Sequence, residues 1–225
     1  MGGRGGALGR PATGVSYHDM TDDERDTLMR SQWADELRAT GLDPGDISYV
    51  KNKAYEMGRG YVATSNSLGI NDALRDGTPL TRTQAEVVSR MDIATNKTLG
   101  ADLNLVRYVG GTTYLPKVLG VSRGSLLRMG DAKLTALSTS LQGKIVAEKG
   151  YMSTSYNAKK NLFSNSPVQI RIRAPKNAKG FITNNKAESE VVLPRNTQYV
   201  INKVSRTTTN FGDKQIIIDV TIIPQ

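Results

Sequence analysis

Apolar residues in the first hundred positions recur at helical spacing, which predicts a mainly helical first half. The first helix is expected to begin after Thr21, because Thr21 and Glu24 form a capping-box sequence at its start. Gly41 is expected to end this helix. Three more helices are expected, over about residues 47–57, over about residues 61–75, and from Thr81 onwards with Gln84 completing a second capping box.

Short segments that alternate apolar and polar residues dominate the second half, as is typical of β-strands. The predicted strands cover residues 103–109, 144–147, 168–173, 180–183, 190–193, 199–204 and 215–223, and a helix near residues 134–141 interrupts them. Helices followed by many strands predict an α+β fold. We expect a flexible Gly/Arg-rich arm over residues 1–15 and a single domain over residues 16–225. The helical part of this domain covers about residues 20–100 and its β-rich part about residues 101–225.

The composition of the 225 residues excludes several kinds of site. The chain has no cysteine, which rules out disulfides and thiolate metal sites, and His18 is its single histidine. We therefore expect no metal, and chemistry based on carboxylates, hydroxyls and basic groups. No apolar run approaches the roughly 20 residues of a membrane span, and the first residues lack the apolar core of a Sec signal peptide. The expected location is the cytoplasm, a virion, or an exterior reached without a Sec signal peptide.

The positive charge lies in the second half of the chain. The net charge is −2 over residues 1–100 and +11 over residues 101–225. Such an imbalance indicates an anionic ligand or partner, for which nucleic acid and a dinucleotide pyrophosphate are both candidates.

Three motifs in this basic half carry groups suited to chemistry. Arg107, at the end of a predicted strand, offers a planar guanidinium that can bind a phosphate with two hydrogen bonds. The hydroxyls of Ser153, Thr154 and Ser155 can bond a ligand or a carboxylate. Glu188 and Glu190 lie two positions apart, so in an extended segment both would face one ligand while the residue between them faces away.

The order of these motifs resembles that of the ADP-ribosyltransferase exoenzyme family of clostridial binary toxins, vegetative insecticidal toxins and their phage relatives. The similarity extends to GYMSTS, to APKNAKG, to ESEVVLPR and to the helical Ile-Asn-x-x-Leu-Arg pattern, and covers roughly residues 45–225. The glycine-rich start is similar to the sequence that precedes such domains in phage head-associated proteins.

This resemblance implies a fold of two packed small β-sheets with an N-terminal helical layer and an NAD cleft. NAD is then the co-substrate. Glu190 would accept the ribose 2′-hydroxyl and stabilise an oxocarbenium-like transition state, and Glu188 would orient or deprotonate the attacking nucleophile. Ser153 would hold Glu190, while Thr154 and Ser155 hold the strand.

The remaining site residues follow from the same resemblance. Arg107 would hold the NAD phosphates or neighbouring ribose, and Asn71 and Arg75 the nicotinamide-side phosphate and ribose. Phe163 would cover the nicotinamide. The chain has Glu rather than Gln at position 188, and in this it resembles the family members that modify arginine. Arginine is therefore the expected acceptor on an unidentified target protein.

Two alternatives remain beside the transferase. One is an NAD glycohydrolase, in which water is the acceptor. The other is a non-catalytic phage head or nucleic-acid-binding component that keeps the fold; the sparse aromatic residues of the basic half do not favour base stacking.

Overall fold

The computed structural model describes residues 20–39, 61, 66–109, 114–158, 165–183, 188–209 and 212–225. Its helices are α1 (Asp22–Ala39), α2 (Asn66–Asp76), α3 (Arg82–Thr95), α4 (Tyr114–Leu119), α5 (Arg123–Arg128) and α6 (Asp131–Leu141). Its strands are β1 (Leu103–Tyr108), β2 (Ile145–Glu148), β3 (Met152–Ser155), β4 (Val168–Ala174), β5 (Phe181–Ile182), β6 (Glu190–Leu193), β7 (Thr197–Thr208) and β8 (Lys214–Ile223). None of these helices has the length and apolar character that crossing a membrane requires.

Both predicted capping boxes are present. The backbone N–H of Thr21 donates to Glu24 Oε2 over 2.8 Å, and the N–H of Glu24 donates to Thr21 Oγ1 over 3.2 Å. Thr81 and Gln84 make the same reciprocal pair at the start of α3. The helix predicted over residues 47–57, the proposed stop at Gly41 and the arm over residues 1–15 lie outside the described residues.

The strands form one sheet of eight, in the order β2-β7-β8-β4-β1-β3-β6-β5. The β4–β8 pair is parallel, and the other neighbours are antiparallel. The α+β fold is therefore confirmed. The two small sheets that were expected are joined into one, because strand pairing continues from β1 to β3.

That junction is narrow. β1 pairs with β4 at six positions but with β3 at one, where Val106 faces Ser155. On its other side β3 pairs with β6 over four positions, among them Ser155 opposite Glu190. The junction thus brings the end of β1, which carries Arg107, beside the two strands that carry Ser153 and Glu190.

Helices cover the sheet through two apolar clusters. The larger buries the β4 and β8 side chains together with residues of α4, α5 and α6. The smaller joins Val87, Val88 and Met91 of α3 to Val192 of β6 and to Tyr151, which directly precedes β3. The helical first half therefore buries its apolar faces on the sheet, as the sequence predicted.

α1 covers the β5 edge of the sheet. Gln32 Nε2 donates to the Gly180 carbonyl over 3.1 Å, and the Ile182 N–H donates to Gln32 Oε1 over 3.3 Å. Arg25, which is fully buried, donates from Nη2 to the Thr183 carbonyl over 3.1 Å. Since an edge strand exposes unpaired backbone groups, these polar side chains of α1 complete the pairing of β5.

Candidate active site

Glu190 lies at the start of β6 with its carboxylate held at both oxygens. Ser153 Oγ donates to Oε1 over 2.5 Å, and Thr183 Oγ1 donates to Oε2 over 3.1 Å. The residue is only 4% exposed. A carboxylate held in this way cannot rotate freely, so its lone pairs keep a fixed direction. The structure thus brings Ser153 and Glu190 together and adds Thr183, which the sequence analysis had not singled out.

The other two hydroxyls of the Ser-Thr-Ser motif bond the backbone. Thr154 Oγ1 donates to the Val191 carbonyl of β6 over 2.7 Å. The Ser155 hydroxyl donates to the Asn157 carbonyl over 3.0 Å and accepts from the Asn157 N–H over 3.2 Å. Both side chains are buried and fasten β3 to its surroundings.

The extended geometry expected for Glu188 and Glu190 is wrong. β6 begins at Glu190, and the two residues before it form a turn. Ser189 has φ 51°, in the left-handed region that residues other than glycine seldom adopt, and its side chain is buried. The alternation argument fails because it requires a strand on both sides of Ser189. Glu188, half-buried, is placed by this turn.

Arg107 reaches from β1 to the strand of the Ser-Thr-Ser motif. Its Nη1 donates to the Ser153 carbonyl over 2.7 Å, and its Cζ lies 5.2 Å from the centre of the Tyr114 ring. Its Nε is buried and has no hydrogen-bond partner within the described structure. Arg107 therefore has one donor engaged by the protein and one buried donor that is unsatisfied.

Arg75 is held by a glutamate that the sequence analysis did not assign. Its Nε donates to Glu148 Oε1 over 2.8 Å, and the same oxygen accepts the Gly150 N–H over 2.8 Å. Arg75 Cζ lies 5.3 Å from the centre of the Tyr114 ring. Within the described structure, Arg75 Nη2 and Glu148 Oε2 are buried without a partner.

Tyr114 thus contacts both guanidinium groups through its ring. The pKa of Tyr114 is raised to about 12, mainly by burial and also by the Glu148 carboxylate, against the opposing effect of Arg107. Its hydroxyl lies 3.3 Å from that of Tyr199. The phenol stays neutral at physiological pH, so it adds no negative charge beside the two arginines. The carboxylates that pair with Arg75 are those of Glu148 at 2.8 Å and Asp72 at 3.8 Å.

Asn71 is a buried residue of α2 that faces the start of the Ser-Thr-Ser strand. Its Oδ1 accepts the Tyr151 N–H over 2.8 Å, and its Nδ2 donates to the Tyr61 hydroxyl over 2.7 Å. The pKa of Tyr61 is raised to about 12, because burial outweighs the lowering effects of the Asn71 hydrogen bond and of the Arg107 charge. The Asn71 hydrogen bond places the Tyr61 hydroxyl directly beside a predicted site residue.

Four residues of this region were not found from the sequence: Tyr61, Tyr114, Glu148 and Thr183. Glu148 carried a signal, because it is one of three glutamates after residue 100 and lies two positions before Gly150, where the Gly-Tyr-Met-Ser-Thr-Ser motif begins. The other three are ordinary core-type positions that only tertiary contacts identify. Phe163, predicted to cover the nicotinamide, lies outside the described residues.

The chain matches known proteins over most of its length. The family model for ADP-ribosyltransferase exoenzyme matches residues 33–225. An epidermal cell differentiation inhibitor from Staphylococcus aureus is 25% identical over 181 residues, which is 72% of this chain and 71% of that protein.

Solved structures agree on the fold. Plx2a, an ADP-ribosyltransferase toxin from Paenibacillus larvae, has a TM-score of 0.67 at 18% identity, covering 89% of this chain and 96% of its own. C3stau2 from S. aureus, solved with NAD, has a TM-score of 0.64 at 19% identity, covering 94% of this chain and all of its own.

The family match extends over far more than half of the chain, so the protein belongs to the ADP-ribosyltransferase exoenzyme family. It is an NAD-dependent mono-ADP-ribosyltransferase, in which NAD is the co-substrate that donates the ADP-ribose group.

Proposed function

We propose that this enzyme transfers ADP-ribose from NAD to an arginine side chain of a target protein, with Glu190 as the catalytic carboxylate. The observation that carries the proposal is the doubly held Glu190 carboxylate, bonded by Ser153 and Thr183. Glu188 precedes it by two positions. In having a glutamate rather than a glutamine there, the chain resembles the family members that modify arginine. The acceptor protein itself is unidentified.

NAD binding rests on the two arginines around Tyr114. An anionic diphosphate would satisfy the buried unpartnered donors, Arg75 Nη2 and Arg107 Nε. It would also add negative charge beside Arg107, since the carboxylates of Glu148 and Asp72 both pair with Arg75, at 2.8 Å and 3.8 Å. These donors fit a dinucleotide phosphate by charge and by hydrogen-bonding capacity.

The reaction breaks the bond between the nicotinamide nitrogen and ribose C1′. Nicotinamide leaves with the bonding electrons, and positive charge develops on the ribose ring. The fixed carboxylate of Glu190 stabilises that charge and accepts a hydrogen bond from the ribose 2′-hydroxyl. The acceptor nitrogen then attacks C1′ and loses a proton.

Glu188 serves the acceptor rather than the donor. Glu188 acts mainly by orienting the arginine and by its negative charge, because a carboxylate and a guanidinium match in charge and in hydrogen-bond geometry. The turn at Ser189 sets where that carboxylate lies relative to Glu190. Water as the acceptor would give NAD hydrolysis at the same site.

The remaining predicted residues support this arrangement. Asn71 holds the Tyr151 backbone and the Tyr61 hydroxyl, at the position from which it would reach the nicotinamide-side ribose. Thr154 and Ser155 hold β3. Phe163 is proposed to cover the nicotinamide.

The test is incubation of NAD labelled in its adenylate part with a cell lysate and either wild-type protein or the Glu190→Gln variant. We expect labelled protein with the wild type only, and peptide mass spectrometry that places the ADP-ribose mass on arginine. Label on another residue type would reject the arginine acceptor. Released nicotinamide without labelled protein would identify a glycohydrolase. Salt-dependent DNA binding without any NAD turnover would identify a non-catalytic component.

A further inference from the structure

Glu190 has a second hydroxyl partner that lies outside the Ser-Thr-Ser motif. Thr183 directly follows β5, and its hydroxyl is 3.1 Å from Glu190 Oε2 and 3.5 Å from the Glu190 carbonyl. A hydroxyl donates one proton, and the nearer, charged oxygen is the stronger acceptor. Ser153 occupies the other carboxylate oxygen. Two donors therefore fix the carboxylate, one on each oxygen.

Thr183 is itself held in place from both sides. Its N–H donates to the Glu190 carbonyl over 3.2 Å, and its carbonyl accepts from Arg25 Nη2 over 3.1 Å. Thr183 is 1% exposed and Arg25 fully buried. The hydroxyl is thus presented to Glu190 from a backbone with little freedom to move.

The support of Thr183 comes from a part of the chain outside the family match. That match begins at residue 33, whereas Arg25 lies in the first turns of α1. Gln32, also before the match, holds the β5 backbone beside Thr183. The start of α1 therefore packs against the strands of the candidate active site and forms part of the same domain.

We propose that Thr183 is a positioning residue for catalysis, which holds Glu190 Oε2 while Ser153 holds Oε1, so that the carboxylate keeps a fixed direction towards the ribose. The proposal rests on the proposed role of Glu190 as the catalytic carboxylate. Because a fixed dipole acts on the charged transition state more than on bound NAD, Thr183 contributes to kcat rather than to KM.

The test compares Thr183→Val and Thr183→Ser in nicotinamide release by the full chain. Val keeps the shape of Thr and removes the hydroxyl, whereas Ser keeps the hydroxyl. We expect kcat to fall about 10- to 100-fold in Thr183→Val, as for loss of a hydrogen bond to a charged group, with KM for NAD within about two-fold of wild type. Thr183→Ser should keep most of kcat.

A matched control removes a buried threonine hydroxyl elsewhere. Thr95 is buried in α3 and donates to the Met91 carbonyl over 2.7 Å. Thr95→Val should lower the melting temperature without changing kcat, which separates loss of stability from loss of positioning.

Several outcomes would overturn the proposal. Thr183→Val with wild-type kcat, or with a raised KM and unchanged kcat, would show that the hydroxyl does not act on the carboxylate. If kcat falls as far in Thr183→Ser as in Thr183→Val, the effect comes from packing and not from the hydroxyl. If Thr183→Val does not fold, a low kcat in a folded Thr183→Ser variant still overturns the proposal. Glu190→Gln is measured alongside. If Glu190→Gln is inactive while Thr183→Val has wild-type activity, only the positioning role of Thr183 is rejected. If Glu190→Gln is fully active, the proposed catalytic role of Glu190 is rejected.

Discussion

Arg75 on α2 and Glu148 at the end of β2 form a buried ion pair, with 2.8 Å between Arg75 Nε and Glu148 Oε1. The pair connects the helical layer to the loop that begins the Gly-Tyr-Met-Ser-Thr-Ser motif, because the same glutamate oxygen accepts the Gly150 N–H. It thus fixes the direction of a guanidinium that we propose for NAD binding.

Glu148→Gln should destabilise the fold and weaken NAD binding together. The amide cannot neutralise Arg75, and breaking a buried ion pair costs on the order of 3 kcal/mol. Urea unfolding measures the stability, and calorimetry measures the affinity for NAD. Glu86→Gln, on an exposed surface pair with Arg82, is the matched control and should change neither quantity appreciably. Unchanged stability in Glu148→Gln would contradict a structural role for the pair.

Gly150→Ala tests the close approach of Asn71 to the motif. A methyl group at this position would lie 2.7 Å from Asn71 Oδ1, the atom that accepts the Tyr151 N–H. We expect a loss of about 1–3 kcal/mol in unfolding free energy and reduced turnover, since Asn71 has to move.

Gly69→Ala is the control for this substitution. Gly69 lies inside α2, and its added methyl would lie at an ordinary 3.6 Å from Gln84 Nε2. This change should stabilise the protein by about 0.5–1 kcal/mol. A Gly150→Ala variant as stable as wild type would mean that Asn71 is not fixed as described.

Arg107→Lys should lower NAD affinity while the fold remains intact. Lysine keeps the charge but loses the planar fork, which costs about 1.5–3 kcal/mol for a charge-assisted hydrogen bond. Calorimetry gives the dissociation constant, and thermal unfolding checks the fold. Arg173→Lys, at an exposed position of β4, should bind NAD like the wild type. Unchanged affinity in Arg107→Lys would remove Arg107 from the site.

Stability should fall at alkaline pH, through the buried tyrosines. Burial raises the pKa of Tyr61 and Tyr114 to about 12, against 10 for an exposed phenol. The unfolded chain therefore loses these protons first, so stability is unaffected below pH 10 and falls between about pH 10 and pH 12. The slope for each phenol is up to about 1.4 kcal/mol per pH unit.

The measurement is urea unfolding as a function of pH, with phenolate absorbance recorded in parallel. Tyr61→Phe and Tyr114→Phe should each make the fall of unfolding free energy with pH less steep. In each variant the phenolate absorbance should show one fewer tyrosine that titrates above pH 10. A decline of the same slope in both variants would show that these phenols titrate normally.

Local chemistry predicted much of the fold. The capping boxes at Thr21 and Thr81 and the bounds of β6 depend on residues close in sequence, and the structure confirms them. α4 and α5 were not predicted, because each has only six residues and contains Pro116 or Gly124, which argue against a helix.

The candidate site shows the limit of that reasoning. The three motifs identified Ser153 and Glu190, which the structure brings to 2.5 Å from each other. The sequence motifs could not identify Thr183, because its hydroxyl contacts Glu190 only when β5 pairs with β6. The alternation rule failed at Ser189, because a left-handed residue there ends the strand geometry that the rule assumes.

The most direct test of the account measures nicotinamide release and label transfer to an arginine acceptor side by side, in Glu188→Gln and Glu190→Gln. Glu190→Gln should bind NAD within a few-fold of wild type and lose both activities by orders of magnitude, because its carboxylate acts on the charged transition state. Glu188→Gln should lose transfer and keep much of the slow NAD hydrolysis. Equal loss of both activities in Glu188→Gln would contradict separate roles for the two glutamates. Nicotinamide release near the wild-type rate in Glu190→Gln would contradict the central claim that this carboxylate drives the reaction.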